Sequence, residues 1–400
     1  MKHYLPYALL IAPFAAQASA QNYFEARNSA MGGVGVASSK YKAAAFANPA
    51  LLTRFGEDDD FGVLLPAVGT FANDPTDFSD DVDVFVDEFD RIEQAFLSGG
   101  AINQDELDTL AQQLRGLDGR ELTADVGFGF AVSMPSDKLA WALHVKSYGD
   151  ATSFADIDFA DATAIEDALS GGGLPTLLSE GVALGVLKTE AGVSLATQYE
   201  VGGMSLSVGV TPKYQRIDTI NYGISLESYD NDDFDADEFV NDAGAFNLDT
   251  GVLLGMNNGL AFGLMARDLI ASDYESKITL GRDFIYEIGP SVTVGASWTY
   301  GWFTVASDLD LLAQERIKEP ASGSLGPEDD VQMWGIGAEF DLAKWVQLRA
   351  GYQTDLKDYL DDAITAGLGL GIFDTFHIEV AGMYIDDNSL GAVAQLSFTF

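Results

Sequence analysis

The sequence predicts an all-β protein, a closed antiparallel transmembrane β-barrel of about 14 strands. Three observations lead to this fold class. After residue 60, apolar residues alternate with small or polar ones, tight turn sequences separate these runs in pairs, and long acidic connections join the pairs. No stretch after residue 20 contains the roughly 20 consecutive apolar residues that a membrane-spanning helix requires, so strands remain as the elements that cross a bilayer.

The alternating runs divide their residues unusually between two faces. From Ile288 to Trp298 every second residue is apolar or proline, and the residues between them are Gly, Ser and Thr. The runs at 126–134, 204–214 and 364–372 have a similar arrangement. A soluble sheet would bury an apolar face and expose a charged one. An apolar outer face and a small, polar inner face instead suit a barrel in lipid.

Tight turn signals between these runs predict six hairpins, because Gly, Asn, Asp and Pro supply the backbone conformations of short turns. A further strand at 390–400 ends the chain, and a run at 61–68 that contains Pro66 brings the total to about fourteen. An even number places both ends of the barrel on one side of the membrane. The predicted hairpins are 124–134/138–148, 188–200/204–217, 245–256/260–269, 287–299/303–312, 333–342/345–355 and 364–373/376–386.

The connections between strands are of two lengths. The turns within hairpins are tight, whereas most other connections are long, at 69–123, 148–187, 218–245, 270–286, 313–331 and 355–363. Bacterial outer-membrane barrels have short periplasmic turns and long external loops, so we expect the long connections on the external side. Aromatic residues near the short turns are predicted to form an interfacial girdle, namely Trp141, Tyr300, Trp302, Trp345, Phe373, Phe376, Phe398 and Phe400.

Both ends of the chain carry signals of export. Residues 1–20 start with Lys2, continue with an apolar run and end in Ala18-Ser19-Ala20, which predicts a secretory signal peptide cleaved after Ala20. Phe400, at the end of an alternating strand, resembles the signal that the outer-membrane barrel insertion machinery reads. We therefore expect the protein in the outer membrane of a Gram-negative cell, with this machinery, the membrane lipids and lipopolysaccharide as partners.

Composition excludes several classes of function. The 62 acidic and 21 basic residues give a formal net charge of −41, which excludes nucleic acid as a partner. The chain has no Cys and three His, so we expect neither a thiol nucleophile nor a usual Cys or His metal site. The acidic run from Asp230 to Glu238 lacks the Gly and the spaced Glu of an EF-hand loop and is predicted to be solvated. No nucleophile–base pair stands out, so no enzyme, cofactor or metal is predicted.

The distribution of charge also bears on the cargo. Most of the acidic residues lie in the long connections, which puts the negative charge on the predicted external face beside lipopolysaccharide. A field of this sign repels a free anion before it reaches the loops. The charge therefore favours an uncharged or apolar cargo.

Residues 21–60 do not alternate as the strands do. They contain a Gly-rich, small-residue stretch and then Asn48-Pro49-Ala50. Together with the barrel pattern at 61–400 and the terminal Phe, these residues resemble the FadL/OMPP1 family of outer-membrane transporters. In that family this segment is a hatch inside the barrel, and hydrophobic compounds pass through the lumen and leave sideways into the membrane. The resemblance implies a hatch at 21–60 whose residues include Gly32, Gly33, Gly35, Asn48, Pro49 and Ala50.

A second resemblance concerns the Met31-Gly32-Gly33 opening. It is similar to a group named conjugal-transfer TraF-type outer-membrane proteins and to related secretion-system barrels. A thioredoxin-like TraF is excluded because the chain has no Cys.

Four charged or titratable residues at inward positions are predicted to form ion pairs that seat the hatch, namely Glu339, Arg349, His377 and Glu379.

Parts of the long connections have the periodicity of amphipathic helices, near 80–117 and 161–180. Their apolar faces have two interpretations that use the same residues. They form either a hydrophobic entry groove for lipid-like substrates, as the resemblance implies, or a cap in which the helices pack on one another. The residues concerned are Phe85, Phe89, Ile92, Phe96, Leu110 and Leu114.

Two functions follow from this reading. The first is an outer-membrane channel for the passive uptake of hydrophobic small molecules, of the long-chain fatty acid or aromatic type. The second is a structural or secretion- or conjugation-associated outer-membrane barrel that binds partner proteins. The sequence does not identify the substrate, because apolar selectivity depends on the shape of the pocket.

Overall fold

The computed structural model describes residues 25–56, 59–136, 138–226, 236–315, 317–318, 330–342, 345–372 and 375–400. Several sequence predictions lie outside these residues. They are the signal peptide at 1–20, the acidic run at 230–235, and the turns at 343–344 and 373–374, the last with the girdle residue Phe373.

Antiparallel strands make up most of the described chain. In chain order they are β1 (Gly62–Asn73), β2 (Glu121–Met134), β3 (Ala140–Asp156), β4 (Glu180–Val201), β5 (Met204–Ser225), β6 (Val240–Gly255), β7 (Leu260–Arg267), β8 (Ser272–Glu275), β9 (Ile285–Ile288), β10 (Ser291–Tyr300), β11 (Phe303–Asp310), β12 (Ile317–Lys318), β13 (Met333–Leu342), β14 (Val346–Asp355), β15 (Ala363–Ile372), β16 (Phe376–Asp386) and β17 (Ser389–Thr399).

Fourteen of the described strands form one closed barrel, in which β1 pairs with both β2 and β17. The remaining three form a separate small sheet in the order β12-β9-β8. The seam continues past the strands, because the Phe400 amide donates to the Phe61 carbonyl at 2.9 Å and the two rings stack at 4.8 Å. The predicted closed antiparallel barrel of about fourteen strands is therefore confirmed.

The helices are concentrated in the N-terminal residues and the long connections. They are α1 (Ala26–Ser29), α2 (Ala44–Ala47), α3 (Phe78–Ser98), α4 (Gln104–Gly116), α5 (Phe159–Glu166), α6 (Ala168–Gly171) and α7 (Ala236–Phe239), with 3-10 turns at Tyr41–Ala43 and Pro49–Thr53. Helix α4 begins with a capping box in which Asn103 and Glu106 bond to each other's backbone amides. Among the described residues, no helix is both long and apolar enough to cross a membrane.

Burial confirms the inside-out division of the strand faces. On β15, Thr365 and Gly369 are buried, whereas Ile364 and Leu370 are exposed. The same alternation runs along β10, where Thr293 is buried. Apolar side chains therefore cover the outside of the barrel, and small or polar ones face the lumen, as a barrel in lipid requires.

Strands β4 and β5 are longer than the sequence predicts, with 22 residues each. Above the predicted ends, Val182 and Leu184 pack on the inner face against the sheet β12-β9-β8. The neighbouring Ala155 packs on the other face, in the core formed by α3, α4 and α5. Because apolar residues pack on both faces of these upper parts, neither face there is polar. The alternation of apolar and polar residues, by which the sequence reveals the lower parts of β4 and β5, is therefore absent.

Two prolines explain the other differences from the predicted strands. The predicted strand 287–299 is divided between β9 and β10, because Gly289-Pro290 interrupts it. In β1 the register shifts by a residue after Leu64 against both neighbours, and the exposed Pro66 lies in this bulge. A bulge tolerates the missing N–H, so the strand continues to Asn73 instead of ending at the predicted residue 68.

Candidate functional site

The N-terminal segment, defined here as residues 25–56, is almost entirely buried against the inward faces of the barrel strands. Arg27 contacts Glu339 of β13, Gly35 contacts Asp308 of β11, and Thr53 contacts Ser207 of β5. Lys42 donates to Ser397 of β17 at 2.5 Å. These strands lie on different sides of the barrel, so the segment is enclosed by the strand ring.

Inward-facing glycines on the barrel wall make room for the segment. A Cβ atom on Gly337 would lie 2.2 Å from the Met31 carbonyl oxygen, and one on Gly351 would lie 2.2 Å from the Gly32 amide nitrogen. A Cβ on Gly335 would lie 2.2 Å from the Gly32 carbonyl oxygen. Such separations are far below van der Waals contact, so any larger residue at these positions excludes the segment's backbone.

The glycines of the segment itself are needed for backbone conformation or for close packing. Gly32 and Gly33 have positive φ angles of 72° and 76°, which disfavour residues with a Cβ. A Cβ on Gly35 would lie 2.5 Å from the Asn28 amide nitrogen of the side chain. The amides of Gly35 and Val36 both donate to one carboxylate oxygen of Asp308, at 2.7 and 2.8 Å.

Asn48, Pro49 and Ala50 form a buried turn. The Asn48 side chain accepts from the Ala50 amide at 3.0 Å and donates to the Val36 carbonyl at 2.9 Å. It also donates to the Val252 carbonyl of β6 at 3.2 Å. Pro49 starts the 3-10 turn, where its missing N–H is not needed. Asn48 therefore ties two parts of the segment to each other and to the wall.

Buried ion pairs join the segment to the opposite wall. The Arg27 guanidinium binds Glu339 through two bonds of 2.8 and 3.1 Å. Arg349 bridges the same Glu339, at 2.7 Å, to Glu379, at 2.8 Å. Gln395 donates to Glu379 at 3.1 Å and to Glu25 at 3.2 Å. Three of the four predicted lumen residues are thus brought together, and their further partners come from the N-terminal segment and β17.

His377, the fourth predicted residue, lies on the same inward side of β16 as Glu379 and two residues nearer to the short turn. Its neighbours across the ladders are Gly371 and Ser397. The residue is half-buried. The sequence places His377 on the correct face, and its predicted role in seating the hatch stays a prediction.

A second charged cluster, which the sequence analysis did not single out, lies on the wall formed by β3–β7. Lys213 contacts Glu190 at 2.7 Å, Asp249 at 2.9 Å and Asp268 at 2.7 Å. Lys188 also contacts Asp268, at 2.7 Å, and Lys146 contacts Glu190, at 3.0 Å. Both halves of the lumen therefore contain networks of paired charges.

The predicted entry-groove residues are not arranged as an open groove. Phe85, Phe89, Ile92, Leu110 and Leu114 are at most 5% exposed, and Phe96 is partly buried against them. They belong to one apolar core that also contains Ile165 of α5. In this structure the helices therefore use their apolar faces to pack on one another, as the cap alternative expects, and the entry groove at these residues stays a prediction.

An apolar cavity of about 130 Å³ lies beside this core, between α3 and the upper ends of β2–β5. Val82 and Val86 line it from the helix, and Phe154, Val182 and Ile224 line it from the strands. Asp83 lies at the cavity wall, and partial burial next to Asp87 and Asp80 raises the pKa of its carboxyl. The walls suit an apolar, uncharged occupant.

The fold and the filled lumen define the class of protein, a transmembrane β-barrel with an N-terminal segment inside it. Within this class, the family described as "F plasmid transfer operon, TraF, protein" matches residues 45–310, and the chain belongs to this family. The match covers barrel strands as well as the Asn48-Pro49-Ala50 turn. No curated protein sequence matches the chain.

Solved structures with the same fold include two toluene transporters and a FadL homologue. The toluene transporter TbuX of Ralstonia pickettii aligns with a TM-score of 0.56 and 15% identity over 95% of this chain and 99% of its own. The toluene transporter TodX of P. putida gives 0.55 and 15%, over 95% and 99%. A Pseudomonas aeruginosa FadL homologue gives 0.53 and 10%, over 94% and 98%. At these identities the likeness establishes the fold, and the predicted FadL-like architecture is confirmed.

Substitution of Gly351 tests the seat of the segment. We expect Gly351→Ala to increase hydrogen exchange at residues 25–56 by about tenfold or more, because the new Cβ overlaps the Gly32 backbone. The control is Gly382→Ala, whose Cβ has its nearest atom at 3.8 Å. Both variants should show the heat-modifiable gel mobility of a folded barrel. If they do and their hydrogen exchange at residues 25–56 is equal, the wall glycines are not what holds the segment in place.

Removal of Arg27 tests the ion-pair network. Breaking a buried pair by deleting one partner costs about 3–5 kcal/mol. We therefore expect Arg27→Ala to expose the N-terminal segment to proteinase K in detergent while the strands stay protected. Arg91→Ala is the control, since Arg91 makes comparable bonds to Glu88 on the surface of α3 with a 47% exposed side chain. Mass spectrometry identifies the cleavage sites, and an equally protected segment in both variants would refute the expectation.

Proposed function

We propose that this protein is an outer-membrane channel for the passive uptake of small, uncharged hydrophobic molecules, of monoaromatic size. The observation that carries the proposal is a closed barrel whose lumen is occupied by a separate, ion-paired segment, on a fold that it shares with toluene transporters. On this proposal residues 1–20 direct export, and the barrel at 61–400 resides in the outer membrane of a Gram-negative cell.

The proposed capture site is the apolar cavity beside α3. Its volume of about 130 Å³ is comparable to that of the engineered protein cavity of about 150 Å³ that binds benzene. Asp83 at the cavity wall has the carboxylates of Asp80 and Asp87 near it, so an anionic ligand would be repelled there. These features favour an aromatic hydrocarbon over a fatty acid carboxylate.

The proposed hatch is the N-terminal segment within the predicted domain 21–60. Gly32 permits close contact with the wall, Gly33 adopts a positive φ angle, and Gly35 leaves room for the Asn28 side chain within the segment. The Asn48-Pro49-Ala50 turn holds two parts of the segment together. Many of the segment's contacts with the wall are hydrogen bonds and ion pairs. Such contacts can be exchanged for water without unfolding the barrel, which is what a hatch requires.

The proposed exit lies at the bulge in β1. Behind it, Phe46 of the segment packs with Leu64, Ala67 and Ala131 in an apolar cluster. The register shift at Pro66 interrupts the ladder at the same height. An apolar interior beside an interrupted ladder favours sideways release into lipid over release into water.

Uptake measurements test this function. In a strain that lacks the protein, expression of the native chain should raise the initial uptake rate of radiolabelled toluene. Val86→Trp fills the cavity and should reduce this gain several-fold, whereas Val84→Trp, at a 51% exposed position of the same helix, should not. Equal uptake with and without the native protein would reject the channel, and equal uptake by the two variants would reject the cavity as the capture site.

A second candidate is a barrel that serves conjugation by binding partner proteins, which the family description favours. It is separable from the first by the transfer frequency of a conjugative plasmid. On this alternative, deletion lowers transfer at least about tenfold and leaves toluene uptake unchanged. Unchanged transfer in the deletion strain would count against it.

A further inference from the structure

The upper part of β6 has an edge that no described strand covers. Strand β6 pairs with β5 from Val240 to Gly255, but β7 pairs with it only from Thr250 onwards. Above that point, the Leu269 amide still donates to the Leu248 carbonyl at 3.0 Å. The chain then crosses to the inner face, where the Glu275 carbonyl accepts from the Thr219 hydroxyl of β5 at 3.0 Å.

The direction in which each residue of this edge points its backbone N–H and C=O groups follows from the ladder between β6 and β7 below it. The Met256 amide donates to the Leu260 carbonyl at 2.8 Å, so even-numbered residues of β6 direct their backbone groups towards the β7 side. By this alternation the N–H and C=O groups of Asp242, Gly244 and Phe246 point to the open edge. Asp242 and Gly244 are exposed, and Phe246 is 75% exposed.

We propose that this edge, at residues 240–247, binds an extended basic segment of a partner protein by strand addition. Alternating amides and carbonyls in a row match another extended backbone and no small molecule. The paired rings of Tyr214 and Phe246, at 5.3 Å, offer an apolar contact at the lower end of the edge. The inference goes beyond the proposed uptake function and does not depend on it.

Membrane symmetry excludes a second copy of the chain as the occupant. Two identical edges can pair only as antiparallel strands related by a two-fold axis perpendicular to them. The strands cross the membrane, so that axis would lie close to the membrane plane and would turn the second barrel upside down. A partner with a different chain is therefore required.

The negative charge around the edge favours a positively charged partner segment. Glu238, Asp242, Asp273 and Glu275 are all exposed there. The nearby cation Arg216 is already engaged by Asp218, at 2.7 Å, and by Asp242, at 3.7 Å. A segment rich in Lys or Arg would neutralise this field, whereas an acidic segment would be repelled.

The first test uses the unaltered protein in detergent and a labelled probe peptide of about eight residues that alternates Lys and Val. We expect saturable binding by fluorescence anisotropy. The same peptide with N-methyl groups on alternate amides keeps its charge but cannot complete a ladder, and we expect it to bind about tenfold more weakly or worse. No saturable binding, or equal binding of the two peptides, would overturn the proposal, since equal binding indicates charge attraction alone.

The second test locates the site with a matched pair of variants. Asp242→Ala removes the charge and keeps the N–H, whereas Asp242→Pro also removes the N–H that points to the open edge. We expect the Pro variant to bind the Lys/Val peptide about tenfold more weakly than the Ala variant. Equal affinities in two variants that both show the gel mobility of a folded barrel would overturn the assignment to this edge.

Discussion

The close approach between the backbone of the N-terminal segment and the glycines of the barrel wall is the constraint on which the rest of the structure depends. Each inward Gly that faces Met31 or Gly32 removes a side chain that the segment's backbone replaces. At these positions the lumen is thereby filled by main chain instead of by wall side chains. A filling of this kind brings many N–H and C=O groups into the interior, and each of them requires a partner.

The wall supplies these partners as carboxylates and amides at fixed positions. Asp308 accepts from two successive amides, and Gln395 accepts from the Ala26 amide at 3.0 Å. Arg27 and Glu339 then fix the register of the segment along the barrel axis, because a buried charge that loses its partner is strongly disfavoured. The same contacts explain how a segment that is not part of the sheet holds one position within the barrel lumen.

The barrel could be predicted from the sequence because one face of each membrane-crossing strand meets lipid and the other meets the lumen. The pairing of Glu339 with Arg349 follows from the same pattern, since the two residues are opposite each other on β13 and β14. The β4–β5 hairpin likewise sets Glu190 opposite Gln215, two residues along from Lys213 on the same face. Inward parity combined with the register of this hairpin would have found the pairing of Glu190 with Lys213, whereas β3 and β4 are joined by a long connection that leaves the pairing of Lys146 with Glu190 without such a signal.

Other features have no periodic signal. Arg27 lies in a segment without strand or long-helix periodicity, so its contact with Glu339 depends on how the whole segment is seated. Asp268 lies beyond the end of β7 with a positive φ of 53°, and only the three-dimensional structure brings it to Lys213. For the helices α3 and α4, the apolar stripe fixes which residues are buried but not what buries them, which is why a groove and a cap were equivalent in the sequence.

On the proposed uptake function, the second charged cluster also restricts the route of an apolar molecule through the barrel. Lys213 holds three carboxylates within 2.9 Å, so a hydrocarbon passing between them would separate several buried ion pairs at once. The wall of β3–β7 is therefore the unfavourable side for such a cargo. The opposite condition holds near β1, where Phe46 and Leu64 form an apolar patch behind the bulge. A conducted hydrocarbon would therefore pass at lowest cost beside β1. This is also the side where the bulge at Pro66 interrupts the hydrogen-bond ladder of the wall.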